Sequence, residues 1–264
     1  MMNNKEILDI AMYQSAMDLS CEKKDFELEK NIVVISHSSD KARKYLELPF
    51  ECNLVCYGKN IVASVSQELQ YDVKRYIDSF LPYHCFETPN IHALDDILIK
   101  HGCLTCFMAE YYLPDMSKLV CQSCRYEMRL LEKGEFDDLY LPEWSNALCE
   151  KRKQLDMLCI GAYDGEKLVG LAGASADCEK MWQIGIDTLP EYRRCGIASA
   201  LVSNLASEIL KRKIVPFYCA AWANIASARN AIKSGFKPAW CELTAKKHEY
   251  VKIMNNSVLS ENNK

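Results

Sequence analysis

The nine residues at positions 190–198, Pro-Glu-Tyr-Arg-Arg-Cys-Gly-Ile-Ala, connect an apolar, strand-like run to an amphipathic helix. The apolar run spans Met181 to Asp187, and the helix carries apolar residues four positions apart from Ile197 to Ile209. The first N–H groups of a helix have no partner within it, and the helix dipole places partial positive charge at the same end. The order of strand, turn and helix therefore predicts an anion-binding site where the helix begins.

The side chains of this turn suit the same interpretation. Gly196 allows the backbone to approach a ligand closely, and Arg193 and Arg194 add positive charge beside it. A surface turn before a core helix explains the motif equally well, because basic residues often precede helices. The turn does not resemble a P-loop, since no Gly-Lys-Ser/Thr follows it.

The residues after the helix make the pattern more specific. A second apolar run from Ile214 to Ala221 leads to Asn224, a predicted N-cap, and Gly235 stands where a second, short helix is predicted to end. This order resembles the GNAT family of N-acetyltransferases. Residues 193–198 match the family's Gln/Arg-x-x-Gly-x-Gly/Ala loop, which cradles the acetyl-CoA pyrophosphate, and Asn224 with Gly235-Phe236 matches its second landmark.

The resemblance covers about residues 125–255 and implies an α/β (α+β) fold. In that fold a twisted mixed sheet is flanked by helices, and a splay between the fourth and fifth strands admits the pantetheine arm. We expect residues 1–120 to form a smaller N-terminal α/β domain, as in a branch of the family with an N-terminal extension, and residues 256–264 to form a polar tail. A short likeness between 99–102 and 232–235 suggests that the first domain is a degenerate copy of the same fold, although chance explains so short a match better.

The resemblance also implies a set of residues that bind acetyl-CoA, the acyl donor. The pantetheine and carbonyl would meet backbone N–H groups of the fourth strand, and the pyrophosphate would rest on the turn. The expected cofactor-binding residues are Ile186, Thr188, Arg193, Arg194, Cys195, Gly196, Ile197, Ala198, Ser199, Asn224 and Ser227.

The catalytic residues are harder to predict, because the usual ones are missing. The family often places a Glu base on the fourth strand, where this chain has Trp182 and Gln183, and a Tyr acid in the helix after the second landmark, where it has Ala231. Asp187 and Tyr218 are the remaining candidates. A hydrogen bond from Asp187 to the following turn, or a purely structural Tyr218 in the core, accounts for each without catalysis.

These observations predict an acetyl-CoA-dependent N-acetyltransferase that transfers an acetyl group to a primary amine of a small molecule or peptide by direct attack. The missing base and acid favour an alternative, a non-catalytic acyl-CoA-binding or regulatory protein. A third interpretation is a zinc-stabilised interaction module fused to a transferase fold.

Composition excludes several other classes. The chain has 264 residues, a net charge of −4 and 49% hydrophobic residues, which is ordinary for a globular protein. No stretch has the Lys/Arg density of a nucleic-acid footprint or the apolar length of a membrane span. The polar N-terminus lacks a signal-peptide core, so we expect a cytoplasmic protein that binds neither nucleic acid nor membranes. The oligomeric state cannot be read from the sequence.

Fourteen cysteines raise the question of zinc. Cys103 and Cys106 are separated by fourteen residues from Cys121 and Cys124, a spacing that suits a four-cysteine ribbon. The intervening residues 107–113 read as one strand, and cysteine is common throughout the chain. We predict free thiols and no bound metal.

The rest of the chain predicts alternating helices and strands. Asp164-Gly165 between two apolar runs indicates a hairpin. Helices are predicted over 5–19, 40–46, 64–80, 91–100 and 135–151, and strands over 31–36, 52–57, 103–113, 126–131, 157–163 and 167–174.

Overall fold

The computed structural model describes residues 2–261. The α-helices in this range are Asn4–Leu19 (α1), Gln70–Asp78 (α2), Thr88–Leu98 (α3), Ile197–Lys211 (α4), Ile225–Lys233 (α5) and His248–Glu261 (α6). The strands are Ile32–Ile35 (β1), Cys52–Cys56 (β2), Ile61–Val65 (β3), Cys103–Pro114 (β4), Glu127–Glu132 (β5), Asp156–Asp164 (β6), Lys167–Ser175 (β7), Met181–Thr188 (β8), Val215–Ala221 (β9) and Phe236–Lys247 (β10).

The chain divides into two units. The first contains the residues up to Ala11 and Tyr111–Ala239, and the second contains Met12–Glu110 and the residues from Trp240 onward. The predicted domain bounds of 1–120 and 125–255 stay predictions. Helix α6 extends to Glu261, and the last part of the predicted 256–264 tail, residues 262–264, lies outside the described residues.

The first unit contains a run of paired strands in the order β5, β6, β7, β8, β9. The first three pairings are antiparallel and the β8–β9 pairing is parallel. Two residues, Gly165 and Glu166, separate the paired ends of β6 and β7, and Gly165 has a φ of +62°. The hairpin predicted from Asp164-Gly165 is therefore confirmed.

Helix α4 packs on this sheet through the apolar stripe predicted from the sequence. Ile197, Leu201, Leu205 and Ile209 are each at most 1% exposed and share a core with residues of β6, β7 and β9. Burial of such a side chain stabilises a fold by roughly 1.5–3 kcal/mol. The stripe therefore fixes where the N-terminus of α4 lies against the sheet.

The second unit contains strands in the order β1, β3, β2, β10, with β1–β3 parallel and the other two pairings antiparallel. A buried charged cluster lies in this unit. Arg43 donates from Nε to Asp18 Oδ2 at 2.5 Å and from Nη2 to Glu242 Oε1 at 2.6 Å, and all three side chains are buried. Removing one member of such a cluster leaves a buried charge without compensation, which typically costs about 3–5 kcal/mol.

The mixed α/β fold with a mostly antiparallel sheet and flanking helices is confirmed. Three local predictions are wrong. Residues 40–46 form turns instead of a helix, the range 64–80 begins in β3 before α2 starts at Gln70, and the range 135–151 contains short 3₁₀ turns instead of an α-helix. Tertiary contacts override weak local helix patterns at these places.

None of the described helices has both the length and the apolar character needed to cross a lipid bilayer.

Candidate functional site

Strands β8 and β9 are paired over only part of their length. Their ladder joins Met181, Trp182 and Gln183 to Val215, Pro216 and Phe217, whereas β8 continues to Thr188 and β9 to Ala221. The main chain of β8 beyond Gln183 therefore has no ladder partner on β9 in the described structure. The resemblance to the GNAT family implies a splay between two strands at this position.

The turn after β8 ends with two residues in the left-handed region. Arg194 has a φ of +65° and Gly196 a φ of +80°. The first intrahelical hydrogen bond of α4 is donated by Ala200 N to Gly196 O, at 3.1 Å. The N–H groups of residues 197–199 precede that bond, so they are the free donors that a helix N-terminus offers to an anion.

This N-terminus is open and positively charged. A Cβ placed on Gly196 would meet no atom within 4 Å. Arg193, Arg194 and Cys195 are exposed, and neither arginine forms an ion pair within the part of the chain that is described. Arg193 Nε donates to the carbonyl oxygen of Thr188 at 3.2 Å, which joins the turn to the end of β8.

The structure therefore brings the first group of predicted cofactor residues together. Ile186 and Thr188 lie on the end of β8 that pairs with β7 but not with β9, and 193–199 form the turn and helix start directly after it. The Ile186 side chain packs against the core beneath α4, so only its main chain is available to a ligand. The buried hydroxyl of Thr188 has no hydrogen-bond partner among the described residues.

The second landmark is held together by its own side chains. Asn224 caps α5, because its side-chain oxygen accepts from Ser227 N at 3.1 Å. The Ser227 hydroxyl lies 2.9 Å from the Tyr218 hydroxyl on β9. Tyr218 is 3% exposed, and burial raises the pKa of its hydroxyl above the ordinary value. These hydrogen bonds join β9 to α5, and burial keeps Tyr218 protonated at neutral pH.

Asp187 contacts a segment that sequence analysis did not single out. Its Oδ2 accepts from the backbone N of Asn146 at 2.8 Å and of Ala147 at 2.9 Å, and its Oδ1 accepts from Asn146 Nδ2 at 2.7 Å. Both carboxylate oxygens are therefore engaged with residues 146–147. Asp187 holds this segment against the sheet.

The same segment covers two glycines. Gly173 on β7 and Gly185 on β8 are register partners. A Cβ on Gly185 would lie 1.9 Å from the carbonyl oxygen of Asn146, and a Cβ on Gly173 would lie 2.1 Å from that of Ala147. The segment thus packs directly against the main chain of two residues without side chains. Two glycines in adjacent predicted strands are the sequence signal that could have located this contact.

Buried carboxylates hold the rest of this region, residues 136–155. Asp156, at the start of β6, accepts from Cys149 N at 3.1 Å and from the Tyr140 hydroxyl at 3.0 Å. Burial raises the pKa of Asp156 despite these bonds. Arg152 donates to the fully buried Asp177 at 2.6 Å. We call residues 142–149 the covering segment, because they lie over β7 and β8.

The four cysteines with zinc-like spacing do not form a local pair of chelating knuckles. Cys103 and Cys106 lie three positions apart on β4, and a strand turns side chains with odd spacing to opposite faces. Cys121 is exposed and Cys124 is half-buried. Among the described residues, no group of three or more His, Cys, Asp or Glu side chains could hold a metal ion.

Comparisons with known proteins bear on the same region. Residues 114–240 match a family model described as GNAT acetyltransferase. No curated protein matches the chain.

Solved structures resemble the chain more loosely. A GCN5-related N-acetyltransferase from Sphaerobacter thermophilus is 11% identical, with 78% of this chain and 83% of that chain covered and a TM-score of 0.47. A GCN5-related N-acetyltransferase-like protein from Streptococcus suis is 20% identical, with 61% and 69% covered and a TM-score of 0.43. A GNAT-family acetyltransferase from Colwellia psychrerythraea is 14% identical, with 60% and 63% covered and a TM-score of 0.43, so the chain spans less than two thirds of that protein.

The match to the GNAT acetyltransferase model, over residues 114–240, covers β8, the turn at 190–196, α4, β9 and α5.

Proposed function

We propose that this protein is an acetyl-CoA-dependent N-acetyltransferase. The observation that carries the proposal is the start of α4, where three free N–H groups, two exposed arginines and open space above Gly196 lie directly after the end of β8 that has no ladder partner on β9. An N-terminus with these features suits a pyrophosphate, because its donors and its dipole both favour negative charge.

Acetyl-CoA would bind from the start of α4 along the part of β8 beyond Gln183. The N–H groups of residues 197–199 would hold the pyrophosphate, and Arg193 and Arg194 would add charge. The pantetheine arm would follow β8 beyond Gln183, where its amides could pair with main-chain groups near Ile186 and Thr188. Asn224 already accepts from Ser227 N, and the Ser227 hydroxyl already bonds to Tyr218, so the role of both residues toward the donor would be to shape the wall of the site.

Transfer by direct attack needs a deprotonated amine, a polarised thioester carbonyl and a proton for the departing thiolate. Tyr218 suits the last task, because burial keeps its hydroxyl protonated and Ser227 orients it. Asp187, which the sequence offers as a catalytic candidate, suits a positioning role better. Its three hydrogen bonds to the covering segment favour a positioning role over proton transfer.

The acceptor would be a primary amine of a small molecule or a peptide. Trp182, Ile184 and Ile186 pack toward the core beneath α4. Gln183 and Gly185 alternate with them, so they face the opposite side of β8, where Asp187 holds the covering segment. We place the acceptor on this side, with the covering segment as one wall.

A second candidate is a non-catalytic acyl-CoA-binding or regulatory protein. The engagement of both Asp187 oxygens favours it, because the carboxylate between Ile186 and Thr188 is not free to take a proton. Such a protein would bind acetyl-CoA and leave it intact.

Two measurements on the purified protein separate the candidates. Calorimetric titration with acetyl-CoA and with CoA tests the binding site, and thiol release from acetyl-CoA with a panel of primary amines tests transfer. Binding with amine-dependent thiol release supports the transferase. Binding without release by any amine supports the regulatory protein, and the absence of binding contradicts both.

A further inference from the structure

Two cysteines face each other across adjacent strands of the second unit. Cys56 at the end of β2 and Cys241 near the start of the β10 ladder are register partners in an antiparallel pairing. Directly opposed residues in such a pairing have Cα atoms about 4.5–5.5 Å apart. A disulfide requires about 4.4–6.8 Å, so the backbone already has the spacing for one.

The two thiols are in different environments. Cys56 is 7% exposed and its Sγ accepts from Gly58 N at 3.3 Å, while the Cys241 thiol donates to the Cys56 carbonyl oxygen at 3.9 Å. Interaction with the neighbouring Cys241 thiol and the bond from Gly58 N lower the pKa of Cys56 to about 7, against the effect of burial. Interaction with Cys56 and burial raise the pKa of Cys241, so Cys56 is the cysteine of the pair that ionises first.

Two other buried cysteines of the same unit, Cys52 and Cys85, differ from this pair. Burial raises the pKa of Cys52 and of Cys85 to about 12, so both are neutral at physiological pH. Cys52 has Ala245 opposite it on β10 and Val65 on β3, so no second sulfur lies at its register positions. A poised thiolate and an in-register partner thus occur together at Cys56 and Cys241.

We propose that Cys56 and Cys241 form a reversible disulfide when the folded protein meets hydrogen peroxide. The Cys56 thiolate attacks one oxygen of the peroxide, the O–O bond breaks, and Cys56 becomes a sulfenic acid as hydroxide leaves. The Cys241 thiol then attacks the sulfenic sulfur, and the S–S bond forms with release of water. Two protein thiols are oxidised, one peroxide is reduced to two waters, and a thiol reductant reverses the change.

The proposal does not depend on acetyl transfer, and its test uses the full chain without acetyl-CoA. Folded protein is treated with hydrogen peroxide at pH 7, free thiols are alkylated, and the digest is mapped without reduction. We expect a linked peptide pair containing Cys56 and Cys241, with the loss of two hydrogen atoms, in the wild type and in the control variant Cys121→Ser. Cys121 is an exposed cysteine outside the pair.

The Cys241→Ser variant separates the two steps. Because it lacks the second thiol, it should accumulate a Cys56 sulfenic acid that dimedone traps, and Cys56→Ser should show neither the linkage nor the adduct. The melting temperature of each variant is compared with that of the wild type. If a variant does not fold, the test uses the wild type alone. The yield of the Cys56–Cys241 linked peptide from folded protein is then compared with its yield from unfolded protein treated with peroxide. Oxidation of exposed cysteines while the alkylated peptides of Cys56 and Cys241 stay unlinked would overturn the proposal.

Discussion

The Asp187 carboxylate and Asn146 are joined by two hydrogen bonds, one to the backbone N of Asn146 at 2.8 Å and one to its side-chain Nδ2 at 2.7 Å. Through them the only charged residue of β8 fixes the covering segment at a distance of 41 positions along the chain. Ile186 and Thr188, whose main chain is proposed to meet the donor, lie directly before and after Asp187. A single strand end therefore positions both the segment on one face of the sheet and the turn that precedes α4.

Two substitutions of Asp187 distinguish positioning from proton transfer. Asp187→Asn keeps one oxygen for the backbone N–H groups of Asn146 and Ala147, and rotation of the Asn146 amide satisfies the rest. We expect it to retain most of the stability and most of the transfer rate. Asp187→Ala leaves both N–H groups without an acceptor, which should lower the free energy of unfolding by about 2–3 kcal/mol.

Urea unfolding and initial rates on both variants test this prediction. Glu143→Gln is the matched control, because Glu143 is an exposed carboxylate on the same covering segment. A general base would give the opposite pattern, in which Asp187→Asn abolishes transfer while the protein remains as stable as the wild type.

Gly185→Ala should displace the covering segment. The added Cβ would lie 1.9 Å from the Asn146 carbonyl oxygen. A main-chain carbonyl cannot move aside as easily as the end of a flexible side chain. We expect the free energy of unfolding to fall by at least about 2 kcal/mol. If the covering segment instead moves away from the sheet, we expect faster proteolysis within residues 142–149. Gly161→Ala is the control, because its Cβ would meet only the side-chain ends of Leu168 and Tyr163. Equal stability and protease resistance of the two variants would contradict the packing.

Residues with strong local signals were predictable, and residues placed by distant contacts were not. The stripe from Ile197 to Ile209 and the Asp164-Gly165 hairpin follow from periodicity and turn chemistry, which act over a few residues. The covering segment has no periodicity of its own, since it is fixed by Asp187 and by the glycine pair across β7 and β8. Residues 40–46 have a helix-like composition, but the buried side chain of Arg43 bonds to Asp18 and Glu242, and the segment forms turns around it.

Tyr218→Phe tests the proposed general acid. The ring keeps its packing while the hydroxyl is lost, so we expect kcat to fall by about a hundredfold with the acetyl-CoA Kd unchanged. Because burial raises the pKa of Tyr218 above its ordinary value, wild-type kcat should decline on the alkaline side only above pH about 10. Ser227→Ala, which removes the partner of the hydroxyl but keeps the hydroxyl itself, should cost less. A wild-type rate in Tyr218→Phe would remove the tyrosine from the mechanism.

Arg193→Ala should weaken acetyl-CoA binding modestly. Its guanidinium is exposed, so its attraction for the phosphates is screened by salt, and we expect an increase in Kd of about fivefold at low salt that shrinks at high salt. Titration at two salt concentrations measures both effects, and Lys213→Ala, which removes a cation beyond the far end of α4, is the control. A loss of affinity that does not change with salt would show that Arg193 acts through its bond to Thr188 instead of through its charge.

Gly196→Val should weaken acetyl-CoA binding more than any other substitution in the turn. The side chain would occupy the open space above the N–H groups of residues 197–199 and keep the pyrophosphate from reaching them. The φ of +80° also makes valine unfavourable there, so some loss of stability is expected from backbone strain alone. The effect on binding therefore has to be measured against a variant with the same strain.

Gly134→Val supplies that comparison. Gly134 has a φ of +95°, its added Cβ would also meet no atom within 4 Å, and it lies between β5 and β6, away from the turn in sequence. We expect both variants to lose similar stability and only Gly196→Val to lose acetyl-CoA affinity, by at least tenfold. Melting temperatures and calorimetric titration of the two proteins decide the matter. If Gly196→Val folds and binds acetyl-CoA like the wild type, the pyrophosphate does not rest at the start of α4, and the proposed donor site is wrong.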